Sequence, residues 1–252
     1  MTSRSVDVVT RLEGGLIASC QPVRGGVFDR PELVALFALA ALDGGAVGLR
    51  VESLADLREV RASLDADGRS APITGLVKRE EPGTDVFITP RLDDVRALVE
   101  AGADVVAFDA TDRERPTSVA ELIEAIHVAG ALAMADVATE AEGVAAHQAG
   151  ADFVASTLSG YAPGSPQLPG PDLALVASLA RAGARVVAEG RIATPADAAA
   201  ARARGAFAVT VGTAFSRPEW IVRAFAEAVW EGAVGGSRDA HARAWDAAAT
   251  DA

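Results

Sequence analysis

Short apolar runs, rich in β-branched residues, alternate along the chain with longer segments in which apolar positions recur with helical period. A turn of small residues precedes most of the runs, as in Ala101-Gly102-Ala103 and Ala149-Gly150-Ala151. Glycine at such a place ends a helix, because it adopts the left-handed conformation without steric cost. A run that is apolar on both faces is typical of a strand in a parallel sheet covered by helices. The pattern predicts strands at residues 16–19, 47–51, 73–77, 105–109, 132–136, 153–158, 186–189 and 208–212.

Helix start signals stand between the predicted strands. Ser53 and Thr139 can cap helices with their hydroxyl groups, and Thr194 precedes a proline at the first helical position. Further starts are predicted at Pro31, Ser118, Pro171 and Pro218. Because each connection is long enough for a right-handed helical crossover, the repeat predicts an α/β protein, a single (β/α)8 TIM barrel with a short N-terminal helix that closes its bottom. The barrel is expected to be one catalytic domain at residues 1–231, followed by a poorly ordered tail at 232–252.

Length and composition fit this fold and exclude several classes of function. The chain has 252 residues, and about 250 is usual for one such barrel. Its formal charge of −12 argues against a nucleic-acid or anionic membrane partner. No apolar run reaches the roughly 18 residues that span a bilayer, and the first residues are too polar for a secretory signal. The single cysteine, Cys20, fits a reducing compartment, so we expect a cytoplasmic protein, and no metal site is predicted.

The predicted strands finish in polar or charged side chains. In barrels of this class the active site is built at the C-terminal ends of the strands. Solvation of loops explains some polarity there, but not two cations and three carboxylates on one rim. Lys78 is the single lysine beside 22 arginines, and an ammonium can lose its proton in a site where a guanidinium effectively cannot. The strand ends carry Gln21, Arg50, Lys78, Asp109, Asp136, residues 157–161, Glu189 and Gly212.

The loops after the last two predicted strands form a candidate phosphate site. Gly190 and Arg191 follow the seventh strand, and Gly212 and Thr213 follow the eighth. Glycine allows the backbone to approach an anion, and N–H groups at a helix start together with the guanidinium of Arg217 can bind it. Barrels that handle sugar phosphates bind the phosphate at this position. The sequence therefore predicts a phosphorylated substrate.

Longer segments carry a resemblance to a known family. They include GLIASCQ at 15–21, AVGLRVE at 46–52, PITGLVKR at 72–79, AEGRI at 188–192 and VGT at 211–213. Together they resemble the N-acylglucosamine-6-phosphate 2-epimerases, also called N-acetylmannosamine-6-phosphate 2-epimerases, over about residues 13–228. Ser53 departs from the family pattern, which has a glycine-like position there, and so does the segment 162–171.

The resemblance implies a cofactor-free enzyme, a homodimer, acting in amino-sugar and sialic acid catabolism. Such an enzyme interconverts N-acetylmannosamine 6-phosphate and N-acetylglucosamine 6-phosphate. The resemblance also implies roles for six residues: Lys78 and Glu189 are catalytic, Gln21, Arg50 and Asp136 bind the sugar, and Arg217 binds the phosphate.

Inversion at C2 requires removal of a proton beside an open-chain C1 aldehyde and its return on the other face. Lys78 can be the base only in its neutral form, which burial and a neighbouring cation favour, and Arg50 is the candidate cation. Glu189, four strands away, is a candidate second acid or base. Two alternatives stay open: a Schiff-base aldolase in which Lys78 attacks a carbonyl carbon, and a non-catalytic barrel that binds a sugar phosphate.

Overall fold

The computed structural model describes residues 3–231 and contains a closed barrel of eight parallel strands, each paired with its neighbour in sequence. The predicted (β/α)8 TIM barrel is confirmed. Seven strands begin and end within one residue of their predicted bounds, and the sixth is shorter. The strands are β1 (Leu16–Cys20), β2 (Gly48–Glu52), β3 (Ile73–Leu76), β4 (Val105–Asp109), β5 (Leu132–Asp136), β6 (Phe153–Ala155), β7 (Val186–Ala188) and β8 (Ala208–Val211).

Helices follow the strands within the described part of the chain. Ser53, Ser118, Thr139 and Thr194 each accept a hydrogen bond from the backbone N–H three residues later, as N-caps do. The start predicted at Pro171 is two residues early, because Asp172 provides the cap. The helices are α1 (Ser3–Leu12), α2 (Pro31–Asp43), α3 (Leu54–Ala66), α4 (Leu92–Glu100), α5 (Val119–Val128), α6 (Glu140–Gln148), α7 (Leu173–Arg181), α8 (Pro195–Ala203), α9 (Thr213–Ser216) and α10 (Pro218–Glu231).

Alternation along the strands divides the apolar side chains into an outer core under the helices and a smaller core inside the barrel. Val8 and Leu12 of α1 belong to the inner core, so the N-terminal helix closes the bottom of the barrel as predicted. A Cβ at Gly48 would lie 2.5 Å from Leu12 Cδ2, which explains the glycine on β2. The inward positions above this core are left for the functional side chains.

Strand β6 differs from the prediction for a specific reason. It ends at Ala155, and Ser156–Leu158 form a short 3-10 turn. The hydroxyl of Ser156 accepts a hydrogen bond from the N–H of Glu189 and donates one to the carbonyl of Glu189, at 3.1 and 2.9 Å. A side chain thus takes the place of further backbone pairing between β6 and β7. The predicted tail at 232–252 lies outside the described residues, and within them no helix is long and apolar enough to cross a membrane.

Candidate active site

The closed barrel brings the predicted catalytic and sugar-binding residues together at one end. Asp136 is the last residue of β5, and Arg50 lies two residues before the end of β2. The others follow strand ends: Gln21 after β1, Lys78 after β3 and Glu189 after β7. Arg50 on β2 is hydrogen-bonded to Asp136 on β5, and Lys78 after β3 to Gln21 after β1. Because these pairs join strands that are not neighbours, the side chains meet across the mouth of the barrel.

Arg50, Asp136 and Glu189 form a buried unit. The Arg50 guanidinium donates to both Asp136 oxygens, Nη2 to Oδ2 at 2.6 Å and Nη1 to Oδ1 at 3.3 Å. Its Nη1 also lies 3.2 Å from Glu189 Oε2. Thr157 donates to Asp136 Oδ1 at 2.8 Å, so the Asp136 carboxylate, which has no exposed surface, is fully occupied. In this arrangement Asp136 faces Arg50 rather than open space.

Glu189 is the residue of this unit best suited to exchange protons. Burial raises the pKa of its carboxyl to about 7 with help from the negative charge of Asp136, whereas Arg50, Lys78 and the Thr157 hydroxyl lower the pKa without cancelling that effect. Within the described residues its buried Oε2 accepts no hydrogen bond, because the nearby Arg50 N–H does not point at it. A carboxyl with a pKa near neutrality is present in both protonation states and can either donate or accept a proton.

Lys78 belongs to a second set, the lysine unit, consisting of Lys78, Gln21, Glu52 and Arg24. Lys78 Nζ donates to Gln21 Oε1 at 2.9 Å and to Glu52 Oε2 at 2.7 Å, while Arg24 Nη2 donates to Glu52 Oε1 at 2.9 Å. Arg50 was expected to be the charged neighbour of Lys78. The structure instead places the Glu52 carboxylate there, because Arg50 is drawn to the two carboxylates of the buried unit.

The loops predicted to bind phosphate lie side by side after β7 and β8. Gly190 and Arg191 both have positive φ, 101° and 55°, and Gly212 and Thr213 begin α9. Within residues 3–231 the backbone N–H groups of these four residues donate to no acceptor. The loops therefore hold four N–H groups that an anion can use. Arg217 is anchored to the same region by its Nε, which donates to the carbonyl of Gln21 at 3.1 Å.

The side chain of Arg191 does not join the other predicted phosphate groups. Its Nη1 donates to the carbonyl of Ser159 at 2.7 Å and its Nε to that of Gly170 at 2.9 Å. Its guanidinium also lies 5.4 Å from the ring centre of Tyr161. The side chain thus closes the loop between β6 and α7, and only the backbone N–H of Arg191 is left for an anion.

Several known proteins similar in sequence to this chain belong to one family. A family profile described as "Putative N-acetylmannosamine-6-phosphate epimerase" matches residues 34–231. Proteins of Yersinia pseudotuberculosis (strain IP 31758) and Yersinia pestis, each named "Putative N-acetylmannosamine-6-phosphate 2-epimerase", are 52% identical over 219 residues, covering 87% of this chain and 91% of each relative. The chain belongs to the N-acetylmannosamine-6-phosphate epimerase family.

A solved structure of the family shares the whole barrel. It is the N-acetylmannosamine-6-phosphate 2-epimerase from Clostridium perfringens, which is 35% identical and superposes with a TM-score of 0.83. The match covers 87% of this chain and 95% of the other. Fold and family therefore agree between sequence and structure.

Three residues of this family member's site were not assigned a role from the sequence. Glu52 contacts Lys78, Thr157 contacts Asp136, and Ser19 accepts a hydrogen bond from Gln21 Nε2 at 2.8 Å. Each stands two positions along a strand from an inward residue, or just after a strand ends. The two-residue period of the strands is the signal that could have found them.

Proposed function

We propose that the chain interconverts N-acetylmannosamine 6-phosphate and N-acetylglucosamine 6-phosphate by moving a proton at C2, in amino-sugar and sialic acid catabolism. One observation carries the proposal. Lys78 and Glu189, on opposite sides of the barrel, share one mouth closely enough that the charge of Lys78 lowers the pKa of Glu189. Two proton-exchanging groups on opposite sides of a bound sugar can remove a hydrogen from one face and return it to the other.

In this mechanism the sugar reacts as the open-chain aldehyde, in which the hydrogen at C2 is acidic. Lys78, in its neutral form, takes that hydrogen as a proton, and the electron pair moves toward the C1 oxygen. Glu189, whose pKa is about 7, delivers a proton to the opposite face of C2. The reverse reaction uses the same groups with their roles exchanged. Since only protons move, we expect the reaction to need no cofactor.

The buried unit has a supporting role in the proposal. Asp136, occupied by Arg50 and Thr157, acts by fixing the Arg50 guanidinium rather than by holding a sugar hydroxyl. Arg50 in turn attracts the Glu189 carboxylate by its charge, with Nη1 3.2 Å from Oε2. Removing a partner from such a buried pair leaves an uncompensated charge, so each member is expected to matter for the others.

The substrate's phosphate is proposed to bind the loops after β7 and β8. The free backbone N–H groups of Gly190, Arg191, Gly212 and Thr213 support this, together with the guanidinium of Arg217. Gln21 links the phosphate region to the lysine unit, because its carbonyl accepts from Arg217 and its side chain from Lys78. We propose that the Gln21 amide also contacts the sugar.

A proton NMR time course of N-acetylmannosamine 6-phosphate in deuterium oxide tests the function. N-acetylglucosamine 6-phosphate is expected to appear with deuterium at C2. The variant Lys78→Arg is expected to lose turnover and still bind the product, measured by calorimetry. Absence of product with the natural chain would overturn the function, and near-normal turnover by Lys78→Arg would overturn the role of Lys78. Borohydride treatment with substrate should leave Lys78 unlabelled, whereas a Schiff-base aldolase would be labelled there.

We propose further that the protein is a cytoplasmic homodimer that associates through α10. Its outer side carries large apolar side chains, of which Val222, Phe225 and Val229 are 61, 72 and 70% exposed. A groove of about 520 Å³ is lined mainly by small and apolar residues of α8, β8 and α9, and α9 is the helix that contacts α10. Exposed apolar surface of this kind is typical of an interface, and a second copy of the chain offers the same two surfaces in return.

A further inference from the structure

Glu52 contacts both cations of the lysine unit, Lys78 and Arg24, although it has no role in the proposed mechanism. It occupies the inward position two residues after Arg50 at the end of β2. Its side chain is 19% exposed, and both of its oxygens are engaged. Oε2 accepts from Lys78 Nζ at 2.7 Å, and Oε1 accepts from Arg24 Nη2 at 2.9 Å.

The position of the Lys78 ammonium depends on few contacts. A lysine side chain is a flexible four-carbon stem, so its ammonium must be held if it is to act at one carbon atom. Within residues 3–231 the hydrogen-bond acceptors of its ammonium are the Gln21 amide oxygen and the Glu52 carboxylate, and Glu52 is the one that carries charge. Gln21 is itself fixed by Ser19. Glu52 is therefore the main electrostatic restraint on Lys78.

Arg24 competes with Lys78 for the Glu52 carboxylate. It lies in the loop between β1 and α2, with its side chain 73% exposed. One of its nitrogens, Nη2, donates both to Glu52 and, at 3.3 Å, to the backbone carbonyl of Lys78. Glu52 is thus shared between a cation inside the mouth and a cation at its surface.

We infer that Glu52 is the positioning residue of Lys78, holding its ammonium at the barrel mouth, and that Arg24 weakens this hold by sharing the carboxylate. The inference rests on the proposed function for its catalytic consequence. An opposite charge at this distance favours the charged form of Lys78, and a like charge disfavours it. Glu52 and Arg24 therefore act on Lys78 in opposite directions, because the carboxylate holds the ammonium and the guanidinium competes for the carboxylate.

The single lysine makes a direct test possible. Selective 15N or 13C labelling of lysine gives one side-chain signal, which can be titrated by NMR without any substrate. In Glu52→Gln the midpoint of this NMR titration is expected to move to lower pH by about 1 unit or more. In Arg24→Ala the same midpoint is expected to move to higher pH. Glu52→Asp should restore part of the shift. Asp43→Asn, which removes an exposed carboxylate paired with Arg69, is the matched control and should leave the midpoint unchanged.

Kinetics then connect the titration with catalysis. In Glu52→Gln, kcat is expected to fall about 10- to 100-fold with KM within about 3-fold, because Lys78 is misplaced while substrate contacts remain. The acid limb of the kcat/KM profile should move with the NMR midpoint. An unmoved midpoint in folded Glu52→Gln would overturn the inference, as would a moved midpoint with an unmoved profile.

The two proposals fail in different ways. If the natural chain shows no epimerase activity, the proposed function is wrong, while the titration still decides whether Glu52 holds Lys78. If Glu52→Gln does not fold, Arg24→Ala provides the test, because Arg24 is exposed. A midpoint that moves to lower pH in Arg24→Ala, or does not move, would contradict the sharing of the carboxylate.

Discussion

Glu189 is a carboxyl group whose surroundings oppose its charged form. It lies in the barrel mouth with 13% of its side chain exposed, next to the buried carboxylate of Asp136. The Arg50 guanidinium compensates only in part, because it is bonded mainly to Asp136. This arrangement suits an acid or base that works near neutral pH, and it makes the stability of the protein depend on pH.

Glu189→Gln is expected to remove a pH dependence of stability. A carboxyl whose pKa rises from 4.5 to about 7 on folding binds its proton more tightly in the folded state. Its contribution is therefore fully present at low pH and is lost as pH rises from about 4.5 through 7, by up to about 3 kcal/mol. Urea denaturation at pH 5, 6, 7 and 8 measures the free energy of unfolding. The free energy of unfolding of the natural chain minus that of the variant should fall with rising pH. A difference that stays constant with pH would contradict the raised pKa of Glu189.

Ser53 has a backbone conformation that suits glycine. Its φ of 75° and ψ of 151° lie in a region that costs other residues about 1–3 kcal/mol. Its hydroxyl caps α3 by accepting from the N–H of Asp56, but glycine is nearly as good a cap. This conformation agrees with the glycine-like position that the resemblance led us to expect there.

Ser53→Gly is consequently expected to stabilise the protein by about 1 kcal/mol, after allowing for the higher chain entropy of glycine. Ser118→Gly is the matched control, because Ser118 is also a capping serine but has an ordinary φ of −65°. The control should lose a few tenths of a kcal/mol. Both are measured as shifts in the midpoint of thermal unfolding. Destabilisation of similar size in both variants would show that Ser53 is not strained.

At the scale of elements, the loop between β6 and α7 depends on a residue from the next loop along the barrel. Arg191 reaches the carbonyls at the two ends of that loop, Ser159 and Gly170, and lies against Tyr161 in between. The loop contains the segment 162–171, which the sequence analysis expected to depart from the family pattern. Arg191 thus stabilises this loop from its place after β7.

Arg191→Ala is expected to loosen this loop. Limited proteolysis should cleave the variant between residues 159 and 170 about 10-fold faster than the natural chain, since the loss of two hydrogen bonds costs about 1 kcal/mol or more. KM for the sugar phosphate should rise less than in Arg217→Ala, because the Arg191 side chain does not face the anion groups. Arg185→Ala, at an exposed position before β7 and so at the other end of that strand, is the control. A large rise in KM with unchanged proteolysis would mean that Arg191 binds phosphate directly.

At the scale of the whole molecule, α10 is the helix whose apolar side chains remain most exposed. Trp220 and Phe225 are 59 and 72% exposed, which is costly for an isolated chain. The proposed dimer covers these side chains, on a helix that begins directly after Arg217 at the mouth end of the barrel.

Phe225→Asp is expected to convert the dimer to a monomer. Light scattering after size-exclusion chromatography should give twice the chain mass of 25.7 kDa for the natural protein and the single mass for the variant. A charge placed in an apolar interface is desolvated without a partner, which costs several kcal/mol. Glu227→Gln on the same helix is the matched control and should remain dimeric. A monomeric natural chain would overturn the proposed assembly.

The fold and most residues of the candidate site could be predicted from the order of residues alone, whereas the roles of Glu52, Thr157 and Ser19 could not. Strand and helix periods are local properties, so the eight strands, the helix caps and the functional side chains at the strand ends followed from the order of residues. Which charged side chains form pairs could be read only from the folded barrel. Arg50 turned out to face Asp136 and Glu189, Lys78 to face Glu52, and Arg191 to close a loop. Such pairings depend on side-chain directions across a closed barrel, where strands distant in sequence face each other.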